Sequence, residues 1–148
     1  MIMAAPGPEA ARAVVDRAES TLVKEDSCIF CSIMLAVPAA QACADMGDLE
    51  EARRHIRAAE RSLRLWEGTA WEASLLEARA HLARAERRDA DAHRLFTDAA
   101  GRFEAAGQPL DARRCRTEPT WPEGGAEAVD PWHSTAPSAV RAIPDLDT

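Results

Sequence analysis

Leu49, Ala52, Ile56, Ala59, Leu63 and Trp66 recur at steps of three and four, the spacing that lines up side chains on one face of an α-helix. Asp48 stands just ahead of the run and Glu51 three residues later, a capping-box arrangement for the first amides. Gly47 falls where the preceding helix must end. Ala52 and Ala59 let a second helix come close, while Ile56 and Leu63 fill the space between. The same ladder returns forty residues on as Ala92, Phe96, Ala99 and Phe103. Upstream, Ala36, Ala40 and Cys43 correspond to Leu76, Ala80 and Ala83 at the same offset. A small-then-large ladder written twice restricts the chain to helix pairs that pack on copies of themselves.

The spacing and punctuation predict five to six helices. Helix one follows Pro6-Gly7-Pro8 and runs from Glu9 to about Lys24, with Val14, Ala18 and Leu22 one turn apart. Helix two, from about Cys28 to Met46, is apolar on most sides, and Pro38 inside it predicts a kink or break. Helix three carries the first ladder to about Glu67. Thr69 and Glu72 open helix four, which continues to about Arg87. Helix five carries the second ladder from Asp89–Asp91 to Gly107, and Pro109 opens a short sixth helix through Cys115. Residues 1–116 are therefore expected to form one helical domain. Residues 117–148 hold six acidic residues against Arg141, with Pro119, Pro122, Gly124, Gly125, Pro131, Pro137 and Pro144. That segment is expected to be a disordered acidic tail.

The two copies resemble tetratricopeptide repeats: Ala40, Gly47, Leu49, Ala52, Ile56 and Ala59 fill the family's positions once, and Ala80, Ala92, Phe96 and Ala99 fill them again. Arg87 departs from the turn glycine and Asp89 from the aliphatic residue, and the period exceeds the ~34 residues of the standard repeat. The stretches Met46–Arg54, Leu65–Trp71 and Ala105–Cys115 resemble the C-terminal helical region of large bacterial LuxR-type and ATPase-linked transcriptional regulators. The resemblance implies an all-α fold of antiparallel helix hairpins stacked as a short right-handed solenoid. It also implies a stand-alone or truncated sensing part of such a regulator. Its nucleotide chemistry does not carry over, because there is no Gly-x-x-x-x-Gly-Lys loop and Lys24 is the only lysine.

Composition narrows the function classes. Thirty-two alanines, no tyrosine and three phenylalanines favour helix and starve a sheet. The net charge of −7 is concentrated in the tail, and no basic stripe argues for direct nucleic-acid binding. The most apolar stretch, 28–44, is interrupted and shorter than the ~20 residues of a membrane span. With no signal peptide legible at the start, a cytoplasmic setting and reduced cysteines are expected.

Cys28-x-x-Cys31 could supply half a zinc shell or a reactive thiol pair, but no second close pair completes it. Packing as small hydrophobes is the simpler expectation. His55, His81 and His93 lie among charged neighbours; His81 with Arg84 and His93 with Arg94 read as solvent faces. Arg53, Arg54, Arg57 and Arg61, interleaved with Glu50, Glu51 and Glu60, read as surface ion pairs. No nucleophile, base and orienting acid assemble from spacing, so no catalytic residue, cofactor or enzyme activity is expected. Trp66 and Trp71 flank the connection between the two copies and, with Arg79, are the candidate partner-binding residues. The expected work is non-catalytic protein or peptide binding in a groove lined by helices two and four, in a regulatory or scaffolding role. Two copies make a thin stack, which also points to self-association or docking onto a larger protein. The rival from another class is a small metal- or thiol-responsive protein using Cys28 and Cys31.

Overall fold

The computed structural model describes residues 7–22 and 29–117. Among these there are six α-helices and no strand: α1 Pro8–Leu22, α2 Ile29–Asp45, α3 Leu49–Glu60, α4 Ala70–Ala85, α5 Asp89–Ala105 and α6 Pro109–Thr117. Cys28, the side chain of Cys31 and the expected tail from residue 118 onward, with Trp121 and Trp132, lie outside the described residues.

Both ladders point inward. Ala52, Ile56 and Ala59 are buried in a core shared by α2, α3 and α4, together with Ile33, Val37 and Leu75. Ala92, Phe96, Ala99 and Phe103 are buried in a second core with Ala73, Ala80, Ala112 and Cys115. Helix α4 serves both: Leu75, Ala78 and Leu82 face the first core, and Ala73, Ala80 and Ala83 face the second. Alanine at most of these places is what lets one helix be approached from two sides. Helix α1 adds Ala11 and Val15 and is tied to the start of α3 by Arg12, whose Nη1 donates to Asp48 at 2.7 Å.

Three of the turns are built alike. Gly47, Arg87 and Gly107 all have positive φ, at 78°, 61° and 73°. After each, the next amide reaches back to a carbonyl five residues earlier: Asp48 to Cys43, Arg88 to Ala83 and Gln108 to Phe103. This is the Schellman closure of a helix. Five residues past each turn comes a buried alanine, namely Ala52, Ala92 and Ala112. An acid–arginine pair straddles that alanine each time: Glu51 with Arg54, Asp91 with Arg94 and Asp111 with Arg114. The sequence shows the glycines but hides the middle turn, because an arginine occupies the left-handed position there. Arg87→Gly is expected to stabilise the protein by about 1 kcal/mol by relieving that conformation. A melting temperature unchanged or lowered in R87G would contradict this.

The helix limits differ from the sequence expectation at two places. Pro38 does not break α2, which is continuous from Ile29 to Asp45. The neighbouring Val37, Ala39 and Ala40 are buried, and their packing outweighs the ~3 kcal/mol that an interior proline costs. Helix α3 stops at Glu60 rather than near Glu67, followed by a 3-10 turn at Leu63–Leu65. Both the amide and the buried hydroxyl of Ser62 bond to the carbonyl of Ala59, a local alternative that closes the helix. The expected capping boxes form only in part. Asp48 accepts from the Glu51 amide at 3.3 Å, but the Glu51 side chain turns to Arg54. Thr69 accepts from the Trp71 amide, and Glu72 reaches the amide of Gly68 rather than that of Thr69.

Candidate functional site

The connection from α3 to α4 brings the two expected tryptophans together. Trp66 follows the 3-10 turn, and Trp71 lies in the first turn of α4. Their rings meet edge-on, with centroids 6.3 Å apart and planes at 64°. Both are half-buried against the first core, while the adjoining Leu65 is 49% exposed. The indole nitrogen of Trp66 is buried and has no hydrogen-bond acceptor among the described residues. Arg79 stands two turns further along α4 and donates to Glu60 of α3 at 2.6 Å. The tryptophans therefore form one patch, and Arg79 is a brace between neighbouring helices beside it.

The histidines are where sequence reasoning missed most. His93 is exposed, as expected, but His55 and His81 are buried. His81 Nδ1 lies 2.8 Å from Asp45 Oδ1. Arg84 Nη2 approaches the same nitrogen at 3.1 Å, and the contact with Asp45 ties α4 to the end of α2. Phe96 meets the imidazole edge-on and takes the Arg84 guanidinium over its face at 5.3 Å. His55 Nε2 lies 3.2 Å from Arg54 Nη2. Arginine can only donate, so this nitrogen is unprotonated and the ring neutral. Burial, reinforced by Arg54, holds the His55 imidazole below its ordinary value of 6.5, against the opposing pull of Glu19 and Glu51.

Unfolded, the ring takes a proton near pH 6.5; folded, it takes one only at lower pH, so acidification favours the unfolded chain. Stability is expected to fall as pH drops from 7 toward 5.5, with a shallower fall in His55→Gln. Urea midpoints at the two pH values measure it, and parallel profiles would exclude His55 as the cause.

The arginines bridge helices more than the periodicity suggests. Arg53 binds Glu86 at 2.6 Å and Arg54 binds Glu19 at 2.7 Å, besides their partners on α3. Glu86 is held below the usual carboxylate range by Arg88, with Arg53 adding to it. Arg114 of α6 grips Glu77 of α4 through two hydrogen bonds of 2.9 and 2.8 Å. Glu77 is 1% exposed and sits forty residues after the apolar Val37, so nothing in its spacing set it apart from a core position.

A shallow open cleft of about 450 Å³ is lined by Leu76, Thr97, Asp98, Gly101 and Arg102. It runs along α4 and α5; α2 and α4, the helices expected to line a binding groove, pack side by side. Among the described residues no group of three or more histidine, cysteine or acidic side chains could hold a metal ion. The cysteine pair proposed as the alternative ligands lies outside that description. No helix among the described residues is long and apolar enough to cross a membrane. No family model, curated protein or solved structure matches the chain.

Proposed function

We propose that this chain is a non-catalytic protein-binding module, a short stack of tetratricopeptide-like helix pairs with a regulatory or scaffolding role in the cytoplasm. The observation that carries the reading is the threefold turn. Gly47, Arg87 and Gly107 each introduce a buried alanine five residues on, and α4 is shared between two cores. Modules that repeat one packing solution leave long helical faces open, and such faces suit an extended or helical peptide. The edge-on Trp66–Trp71 pair with exposed Leu65 supplies the apolar anchor, and Arg79 the neighbouring charge. Buried imidazoles held by carboxylate and guanidinium groups serve the fold in this reading rather than proton transfer.

Selection of displayed peptides on the immobilised full chain tests this. Enriched peptides are expected whose binding is lost in Leu65→Glu and weakened in Arg79→Glu but kept in R87G. Absence of enrichment, or binders indifferent to both surface changes, would refute the reading.

A further inference from the structure

The arginines of α3 and the turn after it divide into two groups. Arg53 and Arg54 each engage two carboxylates, one on α3 and one beyond it, Glu86 at the end of α4 and Glu19 on α1. Arg57, Arg61 and Arg64 are exposed, and none of them pairs with a carboxylate of the described residues. The nearby Glu60 is taken by Arg79. Steps of four and three put the three guanidinium groups along one face. Arg61 lies back along the last turn of α3, its Nη1 donating to the backbone carbonyl of Arg57 at 3.4 Å. Arg61 and Ser62 both keep right-handed backbone angles, which carries the row into the 3-10 turn that holds Arg64. There it meets exposed Leu65 and the half-buried Trp66.

A cation in the last turn favours a helix by interaction with its dipole. That accounts for one arginine, not for three like charges in a row whose mutual repulsion opposes the helix. A surface that pairs most of its other arginines and leaves this row open is complementary to an acidic ligand that also carries aromatic side chains.

We propose that this strip is the docking site of the chain's own segment 118–148. The segment bears Glu118, Glu123, Glu127, Asp130, Asp145 and Asp147 against a single arginine, with Trp121 between Glu118 and Glu123 and Trp132 two residues after Asp130. Carboxylates meet Arg57, Arg61 and Arg64, and a tryptophan meets Leu65 and the edge of the Trp66–Trp71 pair. Tryptophan over a guanidinium adds attraction of its own. Reach is no obstacle, since 31 residues span up to about 100 Å when extended. Tethering supplies an effective concentration on the order of millimolar, so contacts weak between separate molecules suffice within one chain. The docking does not require a foreign peptide, but one anchored at Leu65 and the Trp66–Trp71 pair would compete with the segment for that patch.

The test uses the full chain with one amine added to the strip, Arg61→Lys, and zero-length carbodiimide coupling of amines to carboxylates. Peptide mapping of an equal mixture of unlabelled and 15N-labelled protein separates couplings within one chain from couplings between copies. At low salt the amine at position 61 is expected to couple within one chain to carboxylates of 118–148, severalfold more than the exposed Arg87→Lys control. The yield is expected to fall several times in 0.5 M NaCl, and likewise when Arg57→Glu and Arg64→Glu are added. Coupling confined to Glu60 and Glu67, coupling equal to that of the control, or coupling only between copies would each overturn the proposal. So would a yield indifferent to the two charge reversals. Circular dichroism of each variant, unchanged at 222 nm, shows that the strip and not the fold was altered.

Discussion

Arg114→Met is expected to destabilise the protein by about 3 kcal/mol, because it leaves the buried Glu77 carboxylate without its partner. Glu77 is 1% exposed and its two oxygens are both taken by the Arg114 guanidinium. The arginine itself is half-exposed, which keeps the figure at the lower end for a broken buried pair. For a helical body of this size the loss corresponds to a melting temperature lower by about 10 °C. The compensating variant is written in the protein already, since the first copy has Val37 where the second has Glu77. Glu77→Val with Arg114→Met is expected to regain stability to within about 1 kcal/mol of the parent, the apolar replacement of a buried pair being neutral or better. Urea unfolding of the parent, the single and the double variant decides the matter. A single variant as stable as the parent would show that the pair contributes nothing.

Phe103→Ala is expected to cost about 4 kcal/mol, the transfer term of an aromatic ring plus the cavity left behind. Phe103 is 2% exposed at the foot of the second core and lies 5.9 Å below the Arg114 guanidinium. Its counterpart forty residues earlier, Leu63, is only partly buried because α3 has already ended. Leu63→Ala is accordingly expected to cost about half as much or less. Unfolding midpoints in the reverse order would mean that the two ladders are not packed as described. Phe103 and Arg114 touch, so their substitutions are not expected to add.

Much of this fold was legible in the residues. The steps of three and four marked the buried sides of α3 and α5, because a helix buries whatever recurs at its own period. The offset of forty matched two ladders that are both buried, and Trp66 and Trp71, which flank one connection in the sequence, meet there edge-on. What stayed hidden depends on partners distant in the chain. His81 looked solvated beside Arg84 because its carboxylate partner, Asp45, is 36 residues away. Arg87 looked like a fault in the repeat because a backbone angle leaves no trace in side-chain chemistry. Ser62 gave no sign that it would end α3 early, since the choice between two carbonyl acceptors turns on how the following turn packs.

The sequence by itself determined that the chain is helical, the turns at Gly47 and Gly107, and the apolar faces of α3 and α5, because these follow from interactions within a few residues. Only the tertiary structure decided that α4 serves two cores, that Glu77 is buried against Arg114, and that three arginines of one row have no carboxylate partner among the described residues. The physical reason is that burial and ion pairing belong to surfaces, and a surface exists only once separate helices have been brought together.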